Sequence, residues 1–190
     1  MAKNELKTKE WKSLFVEVPL ENGVSAKVES STLTITGPKG EISKELRFPR
    51  VSIEIIDGMV KIGTTKYSRN QKKIIFTFRA HVNNMIKGVT EGFEYELTAV
   101  YEKFPLTIAV EGTDFVVKNF LGMKVPRRAP ISSDVQVKVN GSKIIVTGID
   151  KEKTGQMAAS IEQSTRITHL DRRVIQDGIY ITKKPHRSYI

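Results

Sequence analysis

Val24 to Gly37 reads VSAKVESSTLTITG, and Val135 to Gly148 reads VQVKVNGSKIIVTG. Aligned without gaps, they match at six of 14 positions: Val24/Val135, Lys27/Lys138, Val28/Val139, Ser31/Ser142, Thr36/Thr147 and Gly37/Gly148. Chance would supply roughly one match at ordinary residue frequencies. Leu33/Ile144 and Ile35/Val146 are conservative exchanges besides. The separation of about 111 residues is too long for a solenoid unit and suits a duplicated domain. Each stretch joins a β-branched run to an alternating run through Ser, Gly, Asn or Lys, which predicts an antiparallel hairpin. The closing Gly37 and Gly148 stand where the chain leaves the sheet, a place suited to glycine's freedom in φ.

Working outward, each hairpin is followed by a helix. In the first half Ser68-Arg-Asn-Gln71 is a capping-box pattern, and Ile75, Phe78, Val82, Met85, Ile86 and Val89 form one apolar stripe at helical spacing. Gly88 and then Gly92 are expected to end that helix. Between hairpin and helix, Val51 to Ile56 and Met59 to Gly63 flank the turn signal Asp57-Gly58 and predict two more strands. In the second half the helix begins almost at once, with Asp150 as cap and Glu152 at its positive end. Met157, Ala158 and Ile161 face inward, and the small residues Gly155, Ala158, Ala159 and Ser160 imply close packing on a sheet. Phe93 to Tyr101 and Leu106 to Val110 read as strands interrupted by Phe104-Pro105. The fold class is therefore α+β: two tandem homologous domains, each an antiparallel sheet covered on one face by a helix. The expected divisions are an extension at 1–13, domains at 14–92 and 93–181, and a basic tail at 182–190.

The charge balance narrows the partner. Thirty-one Lys and Arg oppose 21 Asp and Glu, giving a net charge of +10. Such a surplus points to a polyanion. No apolar run approaches the roughly 18 residues that span a bilayer, and Met1 to Leu14 alternates Lys with Glu rather than forming a secretory signal. A membrane is therefore not the expected partner, and nucleic acid is. The absence of cysteine excludes disulfides, thiol nucleophiles and Cys-based zinc sites, and fits a reducing compartment. The surplus is uneven: Gly92 to Phe115 has one Lys against five acids, whereas Val116 to Ile190 has 14 basic and six acidic residues. The first of these reads as a local acidic patch.

Two basic clusters stand out. Lys118-Asn-Phe-Leu-Gly-Met-Lys124-Val-Pro-Arg127-Arg128 holds four cations and no acid; Gly122 and Pro126 suggest an ordered loop, with Phe120, Leu121 and Val125 as expected anchors. The C-terminal part offers Arg166, Arg172, Arg173, Lys183, Lys184, His186 and Arg187 with Tyr180 and Tyr189 among them. Arginine binds phosphate through two parallel hydrogen bonds, and aromatic rings stack on unpaired bases.

Catalytic chemistry has no foothold. His81, His169 and His186 are far apart, and His81 beside the apolar stripe reads as a structural histidine. No HExxH, GxSxG, P-loop or GxGxxG pattern occurs, so no enzyme activity, cofactor or small-molecule substrate is expected. Gly37-Pro-Lys-Gly40 formally matches the GXXG loop of KH domains. That loop joins two helices, whereas here strands flank it, so a tight turn presenting Lys39 is the better account.

Taken together, Gly37-Pro-Lys-Gly40, His81-Val-Asn-Asn-Met-Ile-Lys-Gly-Val-Thr90, Tyr101-Glu-Lys-Phe-Pro105, Asn119-Phe-Leu-Gly122 with Arg127-Arg128, and Gln176-Asp-Gly-Ile-Tyr180 resemble a known family. It is the large-subunit ribosomal protein family called L-six in bacteria and L-nine in eukaryotes, and the likeness runs from about Phe15 to Ile181. Ile161 to Thr165 and Asp171 to Tyr180 look like its archaeal and eukaryotic branch. The resemblance implies two homologous α+β domains. It also implies binding to large-subunit ribosomal RNA near the base of the factor-binding stalk, close to the sarcin–ricin loop. Neighbouring ribosomal proteins, and translation factors passing nearby, would be the other partners. A cytoplasmic place follows, with nucleolar assembly if the source is eukaryotic. By position, Lys118, Lys124, Arg127 and Arg128 fall on the family's basic loop, and Arg166, Arg172 and Arg173 on its post-helical segment. The full set expected to touch RNA adds Lys39, Lys143, Lys153, Gln156, Lys183, Lys184 and Arg187. Reversing Arg127 and Arg128 is expected to block incorporation into the large subunit with the domain still folded. The alternative is an RNA-binding regulator outside the ribosome, which would not co-migrate stoichiometrically with large subunits.

Overall fold

The computed structural model describes residues 13–21, 23–56, 58–65, 68–168, 170–185 and 187–188. The Met1 to Trp11 lead, Asp57, His169, His186 and Tyr189 lie outside the described residues, as do the side chains of Arg187 and Ser188. The chain divides into two compact units between Thr90 and Glu91.

In the first unit the quoted stretch forms strands β2 (Ser25–Glu29) and β3 (Thr32–Gly37), paired antiparallel across the turn Ser30-Ser31. Strand β4 (Gly40–Glu45) extends them to a sheet ordered β2-β3-β4, with Gly37 opposite Gly40. Thus Gly37 to Gly40 is a hairpin turn between strands, not a link between helices. A second three-stranded sheet is built from β1 (Leu14–Pro19), β5 (Ser52–Ile56) and β6 (Met59–Thr64), in the order β1-β6-β5. Two sheets stand where the sequence implied one. The Phe48-Pro49-Arg50 turn, with Arg50 at φ +65° and the Val51 N–H on the Phe48 carbonyl, separates β4 from β5. Proline has no N–H to continue the ladder there.

Helix α1 (Arg69–Thr90) packs on strands of both sheets, burying Ile75, Phe78, Val82, Met85, Ile86 and Val89, the stripe read from the sequence. The Gln71 side chain accepts the Ser68 N–H at 2.7 Å, one arm of a capping box. Gly88 does not end the helix: it is buried within it, and the helix runs to Thr90 before Gly92 at φ +75°. The β-turn and the helix end meet, for the Lys39 N–H donates to the Val89 carbonyl at 2.9 Å.

The second unit repeats the plan on a larger sheet. Strands β7 (Phe93–Val100), β11 (Val135–Asn140), β12 (Lys143–Gly148), β13 (Gly178–Lys184) and β14 (Arg187–Ser188) form one antiparallel sheet ordered β11-β12-β7-β13-β14. A second antiparallel sheet, ordered β10-β9-β8, joins β8 (Thr107–Glu111), β9 (Asp114–Lys118) and β10 (Arg127–Pro130). Helix α2 (Lys151–Ser164) packs on β7, β12, β13 and β10. Its inward residues Met157, Ala158 and Ile161 join Leu97, Phe115, Phe120, Ile144 and Ile179 in one core.

The two equivalent glycines are explained by space rather than by φ, since neither Gly37 nor Gly148 has a positive φ. A Cβ on Gly37 would lie 2.6 Å from Val89 Cγ2, and one on Gly148 would meet Thr154 Oγ1. In each unit the helix presses on its hairpin at that residue. Gly155 makes the reverse contact, where a Cβ would lie 2.9 Å from the Tyr95 hydroxyl.

Asp150 caps α2, accepting the Glu152 N–H at 2.8 Å. Asp150→Ala is expected to cost about 1 kcal/mol, read as a shifted urea midpoint with an unchanged slope.

Candidate nucleic-acid interface

The basic loop between β9 and β10 is held by a tightly specified backbone. Asn119, Leu121 and Gly122 all take left-handed φ values (61°, 51° and 73°) around a short 3-10 turn at Phe120–Gly122. For leucine that geometry costs roughly 1 to 2 kcal/mol, so it persists only where surroundings enforce it. They do: Phe120 is fully buried, the Asn119 amide donates to the Pro105 carbonyl at 3.1 Å, and the Phe104 ring lies against Gly122. The buried carboxylate of Asp177 in turn accepts the Glu102 N–H at 3.0 Å. Thus the blocks Tyr101 to Pro105, Asn119 to Gly122 and Gln176 to Tyr180, far apart in sequence, are hydrogen-bonded into one support. Val125 is not an anchor: it is 77% exposed. Phe120 carries that role, because the left-handed turn drives its ring inward and leaves Val125 at the loop's outer end.

Arg127 joins this loop to α2. Its Nη1 donates to the carbonyls of Ser164 (2.9 Å) and Arg166 (3.1 Å), and its guanidinium lies 4.3 Å from the Phe120 ring centroid. Helix α2 has no basic residue in its own last turn, so Arg127 supplies a cation to its negative end from a distant strand. This corrects the sequence reading: Arg127 is a structural tie as well as a member of the basic cluster. No local pattern could show it, because the partners are 37 and 39 residues away.

Around that tie the structure gathers part of the expected set. Lys124 is exposed on the loop, and Arg166 and Arg172 line a cleft with Glu162, Gln163 and Tyr180 beside the end of α2. The Arg172 guanidinium lies 5.9 Å from the Tyr180 ring centroid, and the Tyr180 hydroxyl donates to the Gln176 carbonyl. Among the described residues no carboxylate pairs with Lys124, Arg166 or Arg172.

The other cations lie apart. Lys143 stands at the tip of the β11–β12 hairpin, Lys153 and Gln156 on the exposed side of α2, and Lys39 on the turn of the first unit. Lys183 and Lys184 close β13, and Arg187 lies opposite Lys184 on β14. Many are already paired: Lys118 with Glu111 (2.6 Å), Arg128 with Asp114 (3.6 Å), Lys153 with Asp134, Arg173 with Asp171 (3.0 Å) and Lys183 with Glu96 (2.6 Å). The run Gly92 to Phe115 is therefore not a free acidic patch, because Glu96, Glu111 and Asp114 each face a cation of the second unit. Hydrogen bonding by Lys118 holds the Glu111 carboxyl below its ordinary value, and Lys153 does the same for Asp134. Glu96 holds the Lys183 ammonium above its ordinary value. The depressed carboxylates contribute their stability above their unfolded pKa and lose it as pH falls through the folded one. These pairs are exposed, and such pairs contribute little stability.

His81 has a partner, its Nδ1 lying 3.2 Å from Lys44 Nζ. Among the described residues no three acids or histidines gather to hold a metal, and no helix is long and apolar enough to cross a membrane.

Comparison with known proteins agrees with the duplication. The family model described as Ribosomal protein L6 matches residues 21–92 and again 104–178. The "Large ribosomal subunit protein uL6" of Archaeoglobus fulgidus is 45% identical over 181 residues, covering 94% of this chain and 92% of the relative. The protein of that name from Methanocella arvoryzae is 46% identical over 169 residues (88% and 96%), and that from Natronomonas pharaonis 41% over 171 (90% and 97%). With both repeats matched and relatives this similar along nearly their whole length, the chain belongs to the ribosomal protein L6 family.

Proposed function

We propose that this chain is a structural, non-catalytic component of the large ribosomal subunit that holds ribosomal RNA through the basic corner of its second unit. The observation that carries the reading is the Arg127 tie, which fixes a loop bearing Lys124 against the segment bearing Arg166 and Arg172. A rigid array of cations lowers the repulsion between converging RNA segments, and it needs shape and phosphate contacts rather than base readout. The family resemblance supports a place near the base of the factor-binding stalk and the sarcin–ricin loop, where neighbouring ribosomal proteins and passing translation factors are partners.

The combined variant Lys124→Gln, Arg166→Gln, Arg172→Gln tests this, since all three side chains are exposed. It is expected to melt within a few degrees of the parent yet fail to co-sediment with large subunits. The slope of log affinity for large-subunit RNA against log salt should fall by about 2 to 3, at roughly 0.7 to 0.9 for each phosphate no longer neutralised. Normal co-sedimentation of the folded variant would sink the proposal.

A further inference from the structure

Helix α1 carries Arg69, Lys72, Lys73, Arg79 and Lys87 and not one Asp or Glu along its 22 residues. At 3.6 residues per turn, all five fall within about 60° of Phe76, forming one stripe about 27 Å long. That stripe lies away from the buried face, and every one of these residues is exposed. Phe76, at its centre, is 43% exposed. Among the described residues no carboxylate pairs with any of the five.

Two comparisons within the molecule show that the fold does not demand this charge. Helix α2, in the equivalent place of the second unit, balances Lys151 and Lys153 with Glu152 and Glu162. It also places Asp150 and Glu152 at its positive end. Helix α1 does the opposite: its first turn holds no acid, and Arg69, Lys72 and Lys73 crowd the positive end of the macrodipole, where cations are unfavourable. A local rule broken in one copy and kept in the other marks a functional demand.

We infer that the exposed face of α1 is a second RNA-binding surface, independent of the corner in the second unit. The cations meet phosphates along the stripe, and Phe76 stacks on an unpaired base between them. The identification of the polyanion as RNA rests on the proposed function; the surface itself rests on α1 alone.

The test uses the full chain with two RNAs, a duplex and the same duplex carrying an unpaired internal loop. Lys72→Gln, Lys73→Gln, Arg79→Gln together should reduce the salt slope by about 2 to 3 on either RNA. The same variant should melt no lower than the parent, because it removes cations from the positive end of a helix. Phe76→Ala should weaken binding to the looped RNA by about fivefold or more and leave the plain duplex unaffected. Unchanged affinity and slope in the α1 triple variant, with loss in the corner variant, would overturn this inference and leave the proposed function standing. Loss in the α1 variant alone would support it and remove the corner from the proposed function. In assembled large subunits, ultraviolet cross-links from the α1 segment to RNA are expected. Amine cross-links from Lys72 or Lys73 to a neighbouring protein, without RNA cross-links, would make this a protein-docking face and overturn the inference.

Discussion

Replacing Arg127 by glutamate is expected to lower the unfolding midpoint of the second unit by more than about 10 °C and to weaken RNA binding at the same time. Three losses combine. The guanidinium no longer donates to the Ser164 and Arg166 carbonyls, roughly 1.5 to 3 kcal/mol for a charged donor. Its stack on Phe120 goes, about 0.5 to 1 kcal/mol. A carboxylate then faces the negative end of α2, with a similar further cost. About 3 kcal/mol is the sum to expect after allowance for partial exposure. Arg127→Lys, a point charge without the planar fork, should fall between. Arg128→Glu should behave differently: it breaks only an exposed contact with Asp114, so the fold stays and RNA binding drops. Circular-dichroism melts beside filter binding separate the two residues, and an unchanged midpoint for Arg127→Glu would refute the structural tie.

The second large effect is expected at the paired glycines. Gly148→Val should destabilise by roughly 2 to 3 kcal/mol, the upper range of overpacking, because its Cβ meets Thr154. Thr154 is fully buried, and its hydroxyl donates to the Asp150 carbonyl at 2.6 Å, so it yields only by lifting the first turn of α2 off the sheet. Gly37→Val should cost a similar amount against Val89, whose carbonyl also holds the Lys39 turn. Gly141→Ala offers the contrast: nothing lies near its Cβ position, and its φ of +61° alone should cost about 1 kcal/mol. Denaturant midpoints for the three variants check the order, and a Gly148→Val chain as stable as Gly141→Ala would contradict it.

The repeat, its hairpins, both helices and their N-terminal caps were legible because each is encoded within a few residues. Periodicity of 2 or 3.6, a turn pair, or Ser68 three before Gln71 needs no knowledge of the rest of the chain. What stayed hidden was long-range. Nothing near Asp177 announces that it receives an N–H from Glu102, 75 residues earlier, or that Arg127 caps a helix. Val125 looked like an anchor because valine is apolar; the left-handed turn at Asn119 and Leu121 decided otherwise. The glycine of each repeat is visible in the sequence, but its cause is not: neither takes a positive φ, and close approach of a helix leaves no local signature. The cations were countable from the sequence, yet their assembly into a corner depended on those same distant contacts. The α1 stripe is the reverse case: its spacing is local and visible in the sequence, but the apolar stripe of the same helix is the stronger periodic signal.

The carboxylates opposite Lys118, Arg128, Lys153 and Lys183 have a consequence for measurement. When such a cation moves from its own carboxylate to a phosphate, the displaced Asp or Glu gathers solvent cations of its own. The exchange therefore releases fewer small ions than the same cation would if it entered unpaired. A titration against salt will report mainly the cations with no carboxylate partner among the described residues, Lys124, Arg166 and Arg172 at the corner and Lys72, Lys73 and Arg79 on α1, and fewer neutralised phosphates than a footprint would count. Under the proposed function, the shortfall between the two methods is expected to tally the carboxylates that RNA displaces from these cations.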